Sequence, residues 1–350
     1  MKVLAVGNRD PASGAGGYER IFAGTVAALR RAGHQVDVLT PPQLPWFWRE
    51  GGWMSPNPLR RRRVERAAAA VLAERLDGVH VVSWWGLGGL PLGMVDAVEV
   101  PSVGVVADGW MVYGPHVCGR PGVRLDRPRW LFIAEMVRER SLAEGHDLPD
   151  TAVLHPGVDP ARFPPAAMPP WAGRLAYIGR LEPRKGIAVA IEALATLPGA
   201  TLTVDGPDEG GHRAELEALA SGLGVAERVR FTRTPAGDVA GAYAGADAIL
   251  FPVTWPEPWG LVPLEAMSVG RPVVATGTGG SAEYLRDGEN ALVVAPGDAA
   301  ALAAAVRRLA GDAALRERIV AGGRATAARF SQPAFEAAVV AELEARVSRR

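Results

Sequence analysis

Twice along this chain, short apolar runs rich in β-branched residues alternate with Ala, Leu and Arg stretches of helical period, and that double alternation admits few folds. Strand, helix, strand units of this kind build parallel sheets with helices on both faces. In the first half, strands are expected near residues 3–6, 35–39, 79–82, 102–107, 130–134 and 152–155, with helices notably over 18–31 and 60–76. Residues 155–171 then hold six prolines and little periodicity, the composition of a linker. A second series opens at Arg174, with strands near 175–179, 200–205, 229–232, 248–251, 272–276 and 291–294. From Ala299 the pattern is nearly all helical, broken at Ser331, Gln332 and Pro333. Two similar α/β domains across a hinge are therefore expected, over 1–160 and 161–330. A last helix over 331–350 is free to pack back on the first domain.

Length agrees with that division, since a chain of 350 residues exceeds what a single core usually fills. An apolar fraction of 48% against 22% charged residues marks a chain that packs rather than one that stays disordered. The 38 basic and 38 acidic side chains cancel, so no global positive field is present to hold a nucleic-acid backbone. Six scattered histidines and the single Cys118 give no metal-ligand spacing and no internal disulfide, which fits a reducing compartment. The apolar run 3–6 is too short for a signal-peptide core, and no uncharged apolar stretch of about 18 residues follows. The expected location is cytoplasmic. Only two of the 38 cations are lysines, Lys2 and Lys185, so a lysine kept against that bias draws attention.

Ligands of open parallel sheets sit beyond the carboxyl ends of the strands, so chemistry is sought in the loops that follow them. The first strand leads to Gly14, Ala15, Gly16 and Gly17 and then a helix, a bare backbone able to approach an anionic or polyhydroxyl ligand. A dinucleotide fingerprint would need glycine at 19, where Glu19 stands; a plain structural turn remains open. The second domain opens with Gly179 and Arg180, then Leu181, Glu182, Pro183, Arg184, Lys185 and Gly186 before a helix. Two cations on such a loop can grip a diphosphate, Arg180 as a fork and Lys185 as a point charge, although a solvated basic loop would read the same. Most specific is the segment Glu257, Pro258, Trp259, Gly260, Leu261, Val262, Pro263, Leu264, Glu265. Its two carboxylates bracket a turn that becomes a helix near Leu261, whose first amides favour a phosphate. Glu265 could accept from a ribose diol, and Glu257 at the loop mouth from a second polyol.

These motifs, with His155-Pro156-Gly157-Val158-Asp159, Asp205-Gly206-Pro207 and Gly279-Gly280-Ser281-Ala282-Glu283, fall in one order that resembles the retaining glycosyltransferases of family 4. The resemblance spans essentially the whole chain. It implies the GT-B architecture: two Rossmann-like, doubly wound domains facing across a cleft, acceptor domain first and nucleotide-sugar donor domain second. It implies Glu257, Arg180 and Lys185 as the catalytic set, with Arg180 and Lys185 on the diphosphate and Glu265 on the ribose. Glu257, Pro258, Trp259 and the Gly260, Leu261 and Val262 amides would meet sugar and phosphates, Gly16, Gly17 and Gly206 would line the donor, and the loop carrying Arg233 and Thr234 would lie near the base. It further implies attack from the face the nucleotide leaves, with a diphosphate oxygen helping to take the acceptor proton. No Asp-x-Asp occurs in the chain, so neither metal nor cofactor is expected. A phosphorylase or epimerase of the same architecture, and a non-catalytic sugar-nucleotide binding module, are the rival readings.

One position departs from the family. Residues 101–110 read P-S-V-G-V-V-A-D-G-W, which sets Ala107 where the family usually has a histidine contacting the donor sugar. Alanine cannot donate that hydrogen bond, which points to a sugar lacking the hydroxyl, a deoxysugar or pentose, unless His80, His116 or water substitutes. The acceptor, a small molecule or glycan from natural-product or cell-envelope chemistry, is assigned to Trp84, Trp85 and Asp108 on strand-end loops. Pro45, Trp46, Phe47, Trp48, Trp53 and Met54 with the arginine run 60–63 offer either an acceptor lining or a contact with the inner membrane face. Oligomeric state is not legible.

Overall fold

In the computed structural model the described residues are 1–10, 16–40, 58–87, 90–113 and 125–348. The chain divides into two compact units, Met1–His155 with Pro333–Arg350, and Pro156–Gln332. The first division falls five residues before the boundary expected from the proline-rich stretch, just after His155, whose Nδ1 donates to the Ile133 carbonyl of the first unit at 3.1 Å.

Unit 1 runs β1 (Lys2–Gly7), α1 (Gly17–Arg31), β2 (Gln35–Leu39), α2 (Pro58–Ala73), β3 (Val81–Trp85), α3 (Gly93–Asp96), β4 (Ser102–Val106), α4 (Trp110–Tyr113), β5 (Arg129–Phe132), α5 (Glu135–Ala143) and β6 (Thr151–Val153). All strands are parallel in the order β2-β1-β3-β4-β5-β6. β3 and β4 are buried on both faces, which is why they read as unbroken apolar runs rather than alternating ones. Gly104 in β4 has a structural reason: a Cβ there would overlap the indole of Trp130 on β5. α1 buries Ile21, Phe22, Thr25, Val26 and Leu29, the spacing of one helical face.

Unit 2 runs β7 (Arg174–Ile178), α6 (Ile187–Ala195), β8 (Thr201–Asp205), α7 (His212–Gly222), β9 (Val229–Thr232), α8 (Val239–Ala244), β10 (Ala248–Phe251), α9 (Leu261–Val269), β11 (Val273–Thr276), β12 (Leu292–Val294), α10 (Ala299–Gly311) and α11 (Ala313–Arg329). Its strands, again all parallel, lie in the order β12-β11-β10-β7-β8-β9. A core of Leu175, Ile187, Ile191, Leu194, Leu202, Leu250, Leu302 and Leu309 packs one face of this sheet. Asp298 and Asp312 cap α10 and α11, accepting from the Ala301 and Leu315 amides at 2.8 and 2.9 Å.

The last helix, α12 (Gln332–Ser348), belongs almost entirely to unit 1. It buries Phe335, Val339, Val340 and Leu343, and its acids meet basic groups of that unit. Glu342 receives the Arg129 guanidinium through two hydrogen bonds of 2.7 and 3.0 Å, and Asp150 binds Arg129 and Arg346. Among the described residues no helix is long and apolar enough to cross a membrane.

Candidate functional site

In unit 2 the strand order reverses between β7 and β10, because the chain builds outward from β7 through β8 and β9 and then returns to β7's other side. Loops leaving such adjacent strands diverge to opposite faces and open a crevice at their carboxyl ends. The loop after β7 carries Arg180, Glu182, Arg184 and Lys185, and the loop after β10 carries Trp255 and Glu257 and leads into α9. The two cation and carboxylate motifs are thus neighbours, although 72 residues separate Lys185 from Glu257.

Their contact is direct. Lys185 Nζ lies 2.7 Å from Glu257 Oε2, with only 13% and 15% of the two side chains exposed. Trp255 Nε1 donates to the same oxygen at 2.8 Å, and the Trp255 ring carries the Arg184 guanidinium 4.1 Å from its centroid. Glu182 pairs with Arg180 at 3.1 Å through one oxygen and with Arg184 at 2.6 Å through the other. Burial alone would raise the Glu182 carboxyl, but the hydrogen bond from Arg184 and the charges of Arg180, Arg184 and Lys185 hold it below the usual carboxylate range. Tyr177, the penultimate tyrosine of β7, donates to the Arg180 carbonyl at 2.7 Å and so fixes that residue's backbone. Burial, then Glu257 and Glu182, push its phenol far above its ordinary value, so it acts as a neutral donor.

Glycines let these loops come this close. Gly186 has φ +71°, and a Cβ there would overlap the Pro252 carbonyl at the end of β10. Gly279 has φ +69°, and a Cβ there would press on the backbone of Glu257. The turn after β11 consequently grips the Glu257 loop: Gly280 N–H donates to the Glu257 carbonyl at 2.8 Å, and Thr278 Oγ1 to the Trp255 carbonyl at 2.9 Å. α9 then starts at Leu261 with Gly260 as its cap residue at φ +86° and no capping side chain, so its first amides remain available to an acceptor. Tyr284 holds the cap by donating to the Gly260 carbonyl at 2.5 Å.

The structure separates the remaining assigned residues into several groups. Glu265 is 3% exposed within α9 and accepts from Tyr243 Oη at 2.6 Å, so one of its oxygens is engaged inside the unit. Trp259 is a packing residue, not a ligand surface: it is 2% exposed, donates to the Pro156 carbonyl at 2.9 Å and lies against Tyr284 and Phe330. Pro258 is buried beside it. Gly206 follows β8 with its backbone against Gly179, and Asp205 just before it accepts from Thr232 Oγ1 at 2.9 Å and from the Thr234 amide at 2.8 Å. That buried carboxylate orders the loop bearing exposed Arg233.

In unit 1, Trp84 and Trp85 are core residues of β3 with 0% and 1% exposure, so neither ring is open to stack on an acceptor. Trp85 stacks on Phe22 at 5.0 Å and donates to Ser83 Oγ. The strand expected over 79–82 in fact continues through both tryptophans, since a doubly covered parallel strand accepts aromatic side chains on either face. Asp108, after β4, accepts from the Trp110 amide at 3.2 Å. Gly16 caps α1 in extended conformation ahead of Gly17, and buried Glu19 pairs with Arg9 at 3.1 Å. His80 lies away from Ala107: it precedes β3, while Ala107 follows β4, at opposite ends of one parallel sheet. Gly14, Ala15, His116, Cys118 and the aromatics at 45–54 lie outside the described residues.

Missing from the sequence reading were Trp255, Tyr177, Tyr243 and Tyr284, while Glu182 and Asp205 were named within their motifs without a role. A tryptophan two residues before Glu257 and a tyrosine three before Arg180 were the available signals.

Two parallel six-stranded sheets with surrounding helices define the GT-B fold class, and in unit 2 the cation-bearing loop after β7 lies beside the loop that leads into α9 at the sheet's reversal point. Residues 172–326, within unit 2, match the family described as Glycosyl transferases group 1. Glycogen synthase of Mycobacterium tuberculosis is 39% identical over 192 residues, 53% of this chain and 44% of that protein. The chain thus spans about half the length of the curated relatives it matches. Sucrose-phosphate synthase of Thermosynechococcus elongatus shares the fold with a TM-score of 0.83 at 20% identity, over 100% of both chains. Anabaena HepE, solved in complex with UDP-glucose, does so with a TM-score of 0.78 at 19% identity, over 99% of this chain and 100% of that one.

Proposed function

We propose that this chain is a retaining, metal-independent glycosyltransferase that moves a sugar from a nucleoside diphosphate donor to a hydroxyl of a small molecule or glycan. The observation that carries the reading is the pairing of Lys185 with Glu257, which sets the Arg180–Lys185 loop after β7 beside the loop that leads into the open start of α9. The donor diphosphate takes Lys185, the Arg180 fork and the Leu261 and Val262 amides, while Glu257 meets the sugar. As the bond from the anomeric carbon to the phosphate oxygen breaks, negative charge grows on the diphosphate, and these fixed groups stabilise it without reorganising. The acceptor oxygen bonds to the anomeric carbon on the same face and its proton passes to a diphosphate oxygen. Similarity of about half of this chain to a glycogen synthase and the UDP-glucose in the HepE complex favour a nucleotide sugar over other phosphorylated ligands.

A panel of nucleotide sugars followed by thermal shift tests the donor, because a ligand of the folded state raises stability with its occupancy. A stabilising donor is expected, and Lys185→Ala should abolish the shift; an unchanged shift removes the diphosphate assignment. Acceptor-dependent release of nucleoside diphosphate in a chelator, with an unchanged anomeric configuration in the product, separates a metal-independent transferase from a phosphorylase or a binding module. Ala107, at the carboxyl end of β4, supports a deoxysugar or pentose donor; equal turnover of hexose and 6-deoxyhexose donors would remove that refinement. Peripheral membrane contact is proposed for α2, where Leu59 is 75% exposed beside exposed Arg60, Arg62 and Arg63. Binding to anionic liposomes that survives changing these arginines to alanine would contradict it.

A further inference from the structure

The ammonium assigned to the diphosphate already has an anion beside it. Lys185 Nζ is paired with Glu257 Oε2 at 2.7 Å, and Trp255 Nε1 donates to that same oxygen at 2.8 Å. Oε1 has no hydrogen bond among the described residues. The carboxylate is therefore held by one oxygen and offers the other.

Glu257 has little freedom to leave. Its carbonyl is held by Gly280, the Trp255 carbonyl by Thr278, and the Trp255 ring sits under Arg184, whose own carbonyl accepts from the Thr254 amide at 3.0 Å. Three loops lock one carboxylate against one lysine, and both side chains are mostly withdrawn from solvent, where screening is weak.

A phosphoryl group that reaches Lys185 must consequently share the ammonium with Glu257 and tolerate a fixed like charge nearby. The penalty grows with the ligand's charge. A free nucleoside diphosphate carries about one negative charge more than its glycosyl ester, because its terminal phosphate has a second ionisation near neutrality. The ester also brings sugar hydroxyls able to donate to Oε1, which the free diphosphate lacks.

We propose that Glu257, held by Trp255 against Lys185, sets the site's preference for a nucleoside diphosphate sugar over the free nucleoside diphosphate. It disfavours the product by competing for Lys185 and so promotes its release. This rests on the donor reading above, since it takes Lys185 as the diphosphate ligand.

The test is calorimetric titration of the full chain with UDP and UDP-glucose, ADP and ADP-glucose, and GDP and GDP-mannose, using whichever pair binds. Glu257→Gln keeps the side chain's shape and its acceptor for Trp255 but removes the charge. The free diphosphate should then bind about tenfold tighter, while the sugar ester gains less or weakens, so the preference shrinks or inverts. Trp255→Phe keeps a ring under Arg184 and removes the indole donor; it should shift the same ratio in the same direction by a smaller factor. A structural role alone would lower the melting temperature and leave the ratio of the two affinities unchanged. If Glu257→Gln leaves diphosphate affinity within twofold or weakens it while Lys185→Ala still abolishes nucleotide binding, the competition fails and the donor reading stands. If no pair binds, or Lys185→Ala binds as well as the parent, both fall together.

Discussion

Single residues in unit 2 act by closing distances that their neighbours cannot. Gly279 is the sharpest case, because its φ of +69° and the nearness of the Glu257 backbone exclude any side chain. Gly279→Ala should destabilise the chain by roughly 1–3 kcal/mol. It should also weaken nucleotide binding, because relief of the overlap displaces Glu257; denaturant titration beside calorimetry reads both, and loss of stability with unchanged binding would refute the link. A pH dependence arises at Asp247, which is 1% exposed before β10. Burial would raise its carboxyl, yet the Arg174 guanidinium and the amides of Arg174 and Ala172 hold it below the usual range. A group depressed by folding stabilises above its unfolded pKa, and that contribution disappears as pH falls through the folded value. Asp247→Asn should therefore narrow the stability gap to the parent in acid and widen it toward neutrality. Equal melting-temperature differences at pH 3 and pH 7 would contradict this sign.

At the scale of elements, the helix caps test how far local chemistry sets the boundaries. Asp312 accepts from the Leu315 amide at the start of α11, and Asp312→Ala should cost about 1 kcal/mol in unfolding free energy without changing nucleotide affinity. The elements themselves were largely legible: two runs of six strands are expected from the apolar spacing and two parallel six-stranded sheets are found. The reading slipped at β3, where Trp84 and Trp85 looked like loop ligands. Periodicity assigns a side chain to a loop or a strand only when the two faces differ, and β3 is covered on both. For the same reason Trp259, inside the most specific motif of the chain, could be named but not oriented.

At the scale of the molecule, strand order is what turns separate motifs into a site. The loops after β7 and β10 meet because their strands are hydrogen-bonded neighbours, Ala248 opposite Leu175 and Ile249 opposite Ala176, and that pairing is absent from local sequence pattern. Residue types and spacing therefore pointed to Arg180, Lys185 and Glu257 one by one. The ion pair that joins two of them, and the Trp255 indole that braces it, come only with the fold. Unit 1 offers a competing anion seat, the uncapped start of α1 at Gly16 and Gly17, which the sequence marks less specifically than the segment from Glu257 to Glu265. A crystal structure with a stabilising nucleotide sugar decides between them. The diphosphate is expected within hydrogen-bonding distance of Lys185 Nζ and the Leu261 or Val262 amide; a diphosphate seated on α1, with Lys185 still bound only to Glu257, would contradict the account.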